Sequence, residues 1–367
     1  MDGRTKQRVT VGVSGGVDSA VAALLLLEQG CEVSALFMKN WEEDDDERCA
    51  AAADLASARA VCERLGVPLR TVNFSHEYWN HVFRRFLDEY QAGRTPNPDT
   101  LCNREIKFKA FLEFAQSLGA DTIATGHYAG VERRGVGDNA AWRLLRGGDP
   151  AKDQSYFLYQ LDQRALRRTL FPLAKLRKTE VRALAKARRL PCHDRKDSTG
   201  ICFIGERNLR EFLSRYITAA PGDIVDEAGQ TLGRHHGAAF YTIGQRAGLG
   251  IGGRRDGDNR PWYVAAKDMA ANRLTVVQGR DHPALLRDTM LVDDLHWIDP
   301  AAADAVGAEP LTARCRHRQP DSPCQMAPCG DGQWRVRFAE PQWAVAPGQA
   351  MVFYRGPYCL GGATITA

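Results

Sequence analysis

Six consecutive residues, Ser14-Gly15-Gly16-Val17-Asp18-Ser19, bring two hydroxyls, two glycines and a carboxylate to the point where an extended segment gives way to a helix. Glycine lets bare backbone approach a ligand, and the first turn of a helix offers N–H groups with no partner inside the helix. With the Ser14 and Ser19 hydroxyls, those donors suit a phosphate. An acid beside a phosphate makes sense when a divalent cation bridges the two, so Mg²⁺ is expected near Asp18. A glycine pair alone is explained equally well by a tight turn with a Ser or Asp cap, but the full pattern after a strand is more specific. It is neither GxxxxGK(S/T) nor GxGxxG. The nucleotide set read from it is Gly12, Val13, Ser14, Gly15, Gly16, Val17, Asp18 and Ser19.

Two of the ten cysteines stand apart by their surroundings. Cys102 follows Thr95-Pro96-Asn97-Pro98-Asp99, where two prolines argue for a loop rather than helix or strand. Cys202 falls in Asp197-Ser198-Thr199-Gly200-Ile201, loop-like in composition, before a helix expected near Glu206. Neither has a CxxC partner, which disfavours zinc or an iron–sulfur cluster, and no protein metal site is assigned. Inert burial is the default for Cys31, Cys62 and Cys359. Arg104, Lys107, Arg195 and Lys196 lie close in sequence to the other two and would lower a thiol pKa if they touched it.

The elements that must position these groups alternate strand and helix through the first third of the chain. Val9, Val11 and Val13 read as a strand and Ala20 to Leu27 as a helix closed by Gly30. Glu32 to Met38, Leu69 to Phe74 and Thr122 to Thr125 read as further strands, with helices between them. That alternation predicts an α/β Rossmann-like parallel sheet, with ligands at the carboxyl ends of its strands. Met38 and Gly126 fall at such ends, where adenine and ribose would sit; core packing or a turn explains them equally well on pattern alone. Val131 to Ala141 reads as a surface hairpin, and helical patterning is expected from Ser155 to Leu213. Beyond Pro221, short runs such as Tyr241 to Ile243, Trp262 to Ala265 and Trp334 to Phe338 predict an all-β ending with a small barrel. At 367 residues the chain exceeds one core, and we expect a catalytic domain over 1–209, a central domain over 210–281 and a barrel over 282–367. Gly237 to Gly252, rich in glycine, is expected to order only on a ligand.

The net charge of +4 is mild. Its distribution is not: Arg164, Arg167, Arg168, Lys175, Arg177, Lys178, Arg182, Lys186, Arg188, Arg189, Arg195 and Lys196 crowd one stretch, which fits a polyanion such as RNA or a solvated helix face. No apolar run reaches membrane-spanning length, and Met1 to Arg8 lacks the apolar core of a signal peptide, so a cytoplasmic setting without membrane is expected.

SGGVDS resembles the loop of pyrophosphatase-type enzymes, which split ATP between the α and β phosphates. The resemblance narrows when longer segments are added. FMKNW (37–41), TPNPDTLCNREIKF (95–108), ATGHYA (124–129), KDQSYFLY (152–159) and DSTGICFIG (197–205) together resemble the bacterial tRNA-specific 2-thiouridylase family across nearly the whole chain. The resemblance implies sulfur transfer to the wobble uridine of tRNAs such as the Lys, Glu and Gln acceptors, with ATP as co-substrate. It implies a persulfide on Cys202, received from a cysteine desulfurase or a sulfur-relay protein, with Cys102 as its disulfide partner and Asp99 as an acid/base group. Asn97, Pro98, Asp99, Lys152, Asp153 and Gln154 would touch tRNA, as would Arg316 and His317 from the barrel, although the family often carries an aromatic where His317 stands. Rival readings are adenylate-driven amide or amine ligation, which needs no cysteine, and a noncatalytic tRNA-binding module.

Overall fold

Strand β1 (Arg8–Gly12) is buried on both faces through Val9, Thr10 and Val11, as expected of a central strand in a parallel sheet. A computed structural model gives the fold and describes residues 6–42, 50–135, 140–197, 208–251, 260–303, 307 and 310–366. β1 pairs in parallel with β2 (Glu32–Lys39) on one side and β4 (Thr122–Ala124) on the other. β3 (Leu69–Asn73) and β7 (Thr169–Leu170) complete the order β3-β2-β1-β4-β7. The order reverses between β1 and β4, the position at which open parallel sheets place a ligand crevice at the carboxyl ends of the strands. The Rossmann-like expectation is therefore met. Helix α1 (Val17–Glu28) leaves this crevice, with α2 (Ala50–Leu65) and the helix Lys178–Ala187 beside it.

Among the described residues of the stretch 155–213, 155–197 and 208–213, the chain is less helical than its composition suggests. Thr169–Leu170 forms a strand because β4 has an open edge, and Ile123 N–H donates to Arg168 C=O at 2.9 Å. The segment around Cys102 is more helical than expected. Pro98 stands at the first position of the helix Pro98–Leu101, where its missing N–H costs nothing, and Asn97 caps it by accepting from Asp99 N–H at 3.1 Å. A nine-residue π-helical stretch, Cys102–Ala110, follows directly.

The central sheet has the order β10-β11-β8-β9, from β8 (Gly222–Val225), β9 (Thr231–His235), β10 (Trp262–Asp268) and β11 (Arg273–Gln278). Tyr241 to Ile243 is not a strand. Tyr241 instead packs into this domain's core, with its hydroxyl donating to Gly248 C=O at 3.2 Å.

The C-terminal barrel is closed. β12 (Leu286–Trp297), β15 (Gln333–Trp343), β14 (Ser322–Gly330), β13 (Leu311–Arg314), β16 (Ala350–Arg355) and β17 (Tyr358–Ile365) pair in that order, and β12 returns to β17. All these pairings are antiparallel. The hairpin expected between 131 and 141 exists as β5 (Ala129–Arg134) and β6 (Ala141–Arg146). It is also structural: Leu144 and Leu145 pair with Cys359 and Tyr358, so the first domain extends the barrel's own sheet.

Candidate active site

Gly16 caps α1 with an extended backbone, and no side chain caps the helix. The first-turn amides thus remain available to a ligand, as a phosphate cradle requires. Gly15 has φ of +77°, and a Cβ there would meet Asp54 C=O at 2.4 Å, so both its conformation and its space demand glycine. Its carbonyl accepts from Ser57 Oγ at 2.7 Å and from Arg195 Nη1 at 3.1 Å. Arg195 also pairs with Asp54, which fixes the loop against α2. Ser19 Oγ donates to Gly16 C=O and accepts from Ser14 N–H, both at 3.2 Å.

Val13 and Val17 turn their side chains into the core, leaving only backbone for a ligand. Met38 comes to the end of β1, its Cε 3.2 Å from where a Cβ of Gly12 would be. At Gly126 a Cβ would lie 2.6 Å from Ser19 N, so the Gly126 backbone forms the opposite wall of the cradle.

Asp18 is the electrostatic centre. Both its oxygens accept from Lys178 Nζ at 2.7 Å, and Tyr128 hydroxyl donates to Oδ1 at 2.7 Å. Burial, followed by the Asp18 charge, drives the Tyr128 pKa far above the ordinary phenol range, so it serves as a fixed donor. Lys178, only 9% exposed, also reaches Asp197 Oδ1 at 2.8 Å. Asp197 receives two further cations, Lys152 at 2.7 Å and Arg182 at 2.6 Å. Burial pushes the Asp197 carboxyl upward, but its bonds to Lys152 and Lys178 outweigh that and hold it at about 2.

Lys178 was expected only as one charge in a basic face. Its partner is 160 positions away, so no local pattern could reveal it. Several other members of that run are likewise engaged internally: Arg182 and Arg195 as above, and Arg188 with Glu28 at 2.5 Å.

The consecutive residues Lys152, Asp153 and Gln154 face three directions. Lys152 joins Asp197. Asp153, 4% exposed, accepts from Gly147 and Ser155 N–H and lies near Arg146 and Arg314. Gln154 accepts from Tyr128 N–H at 3.0 Å. His317 bonds Asp153 C=O at 2.8 Å and lies against Phe157, with ring centroids 4.4 Å apart. Arg316 donates to Ile243 C=O at 2.9 Å and Ala344 C=O at 2.6 Å, tying the barrel to the central domain.

Thr95 marks the meeting of all three domains. Its N–H donates to Pro347 C=O at 2.7 Å, its C=O accepts from Gln349 at 2.6 Å, and its hydroxyl donates to Thr242 at 3.3 Å. Asn97, Pro98 and Asp99 follow in the next turn, and Cys102 is fully buried one turn later. Cys202 lies outside the described residues. His127, bonded to Thr125 Oγ1 at 2.8 Å, is held neutral by desolvation and then by the Lys107 charge, well below the usual imidazole range.

Three family models cover the chain: "tRNA methyl transferase HUP domain" over 7–206, "tRNA methyl transferase PRC-barrel domain" over 210–278 and "Aminomethyltransferase beta-barrel domain" over 287–365. The chain is 58% identical to tRNA-specific 2-thiouridylase MnmA of Methylococcus capsulatus, covering 98% of this chain and 96% of the relative. It is 55% identical to the protein of the same name in Methylobacillus flagellatus, over 99% of both, and 56% identical to that of Verminephrobacter eiseniae, over the whole of both. The chain belongs to the tRNA-specific 2-thiouridylase family. Among the described residues, no cluster of three or more His, Cys, Asp or Glu side chains could hold a metal by itself. None of their helices is long and apolar enough to cross a membrane.

Proposed function

We propose that this chain replaces the C2 oxygen of the wobble uridine in tRNA by sulfur, consuming ATP. The observation that carries the reading is the uncapped start of α1 facing the Asp18–Lys178–Asp197 network, in a chain of this family. First-turn amides of α1 and the Ser14 and Ser19 hydroxyls would receive the β and γ phosphates. Lys178 already sits at the loop and would supply positive charge to the departing pyrophosphate. Asp18, with 33% of its side chain exposed, would hold Mg²⁺, which when bound would supply further charge neutralisation. Tyr128 holds Asp18 in place throughout.

Oxide cannot leave a carbonyl carbon, so uracil O2 attacks the α-phosphorus while the α–β bond breaks and pyrophosphate departs. The terminal sulfur of a Cys202 persulfide then reaches C2, either bound to Cys202 or as sulfide freed by Cys102. AMP leaves with the former O2. The Cys102 thiolate takes the inner sulfur of Cys202, and the resulting disulfide awaits an external reductant. Asp99, beside the junction, moves the protons. Asn97 to Asp99 contact the extruded base, since a ring carbon is reached only when the base leaves the stack. Lys152, Arg316 and His317 would border tRNA. Asp153 and Gln154 act through the loops they hold. A sulfur-relay protein or desulfurase recharges Cys202.

Mass spectrometry of tRNA nucleosides after incubation with ATP, Mg²⁺ and a persulfide donor tests the reading. It should show 2-thiouridine from the wild type and none from Cys102→Ser or Cys202→Ser. Full thiolation by both variants would contradict it, as would a methylated nucleoside in place of the thiolated one.

A further inference from the structure

Four arginines, Arg133, Arg164, Arg167 and Arg168, line a cavity of about 690 Å³ with Trp142 and Gln163, and no carboxylate lines it. The groove lies between the β5–β6 hairpin and the helix Gln163–Arg167. Its floor is rigid. Gln163 donates to Trp142 C=O at 2.8 Å and Ile298 C=O at 2.7 Å while accepting from Trp142 N–H at 2.7 Å, so hairpin, helix and barrel are stapled at one side chain.

The charge is only partly spent. Arg164 pairs with Glu113 at 3.3 Å, and Arg168 donates to a backbone carbonyl, Asp121 C=O, at 3.1 Å. Among the described residues no carboxylate pairs with Arg133 or Arg167. The groove is remote from the cradle. Arg168 precedes β7, at the amino-terminal edge of the parallel sheet, whereas Gly126 follows β4 at the carboxyl-terminal edge. Along β5, Arg133 lies about 13 Å beyond Ala129, four strand steps further from the site.

We propose that this groove binds the phosphate backbone of the substrate tRNA outside the anticodon loop, an inference that rests on the function proposed above. Guanidinium forks match phosphate oxygens in pairs, and the indole of Trp142 offers a flat face to a sugar or base. A docked protein would instead need an apolar centre, which a groove walled by arginines lacks.

The test pairs tRNA binding with thiolation, using Arg133→Glu/Arg167→Glu and the milder Arg133→Gln/Arg167→Gln. Full-length tRNA should bind the first variant at least about tenfold more weakly at low salt, and the slope of log affinity against log salt should fall by roughly 1.8. The glutamine pair should show the same slope change with a smaller loss. Turnover at saturating tRNA, and turnover of an isolated anticodon stem-loop, should match the wild type. Unchanged affinity and slope for full-length tRNA would overturn the groove while leaving the activity intact. Normal tRNA binding with impaired sulfur delivery from a donor protein would mark a protein dock and equally overturn it. A wild type that binds tRNA through the groove yet forms no 2-thiouridine would sink the activity alone.

Discussion

Lys178→Met removes an ammonium that contacts both oxygens of Asp18 at 2.7 Å and Asp197 at 2.8 Å, while keeping most of the side chain's volume. At an effective dielectric of about 20, one such contact is worth roughly 6 kcal/mol before desolvation is subtracted. Breaking a buried pair by deleting one member costs about 3–5 kcal/mol. Asp18 keeps 33% of its side chain exposed, so solvent screens the orphaned carboxylate and about 2–3 kcal/mol remains. Asp197 retains Lys152 and Arg182 and contributes less. Calorimetry should therefore show Tm lowered by about 3–4 °C. Adding Asp18→Asn should restore part of that loss, because the two changes share one interaction. Pyrophosphate release with tRNA and ATP should fall in both single variants, and the double variant should recover stability without recovering release. Strictly additive stability losses, or pyrophosphate release at the wild-type rate in Lys178→Met, would refute the reasoning.

Asp197 has a folded pKa of about 2 against an ordinary 3.8, so its contribution is present above pH 3.8 and is lost as pH falls through 2. Wild-type stability should drop by about 2 kcal/mol across that window, and Asp197→Asn should abolish that segment of a denaturation-versus-pH curve. Gly126→Ala would place a Cβ 2.6 Å from Ser19 N and force the start of α1 to shift. Pyrophosphate release should fall by about a hundredfold while circular dichroism stays native. Arg316→Ala leaves the carbonyls of Ile243 and Ala344 without their donor, and limited proteolysis between the central domain and the barrel should accelerate. Arg316→Lys should rescue this only in part, since one ammonium does not reproduce the fork.

The cradle was legible because its chemistry is local: six adjacent residues between a strand and a helix specify the turn, the donors and the acid. The parallel sheet was legible from alternating apolar runs. What stayed hidden is carried by distance in sequence. Lys178 and Tyr128 converge on Asp18 only because α1 packs between the sheet and the helix Lys178–Ala187. The basic run looked like an open polyanion face, yet Lys178, Arg182 and Arg195 turn inward to carboxylates. Pro98 suggested a loop because proline opposes helix interiors, but at the first helical position it favours one. β14 carries Pro323, Pro328 and Gly330, which oppose a strand locally, and is held as one by β13 on one side and β15 on the other.

The coupling of adenylation in the cradle to sulfur delivery is tested most directly by following one oxygen. A tRNA carrying a heavy-oxygen label at C2 of the wobble uridine, thiolated to completion, should place that label in AMP, with pyrophosphate unlabelled. Label recovered in pyrophosphate or bulk water, with AMP unlabelled, would contradict the account.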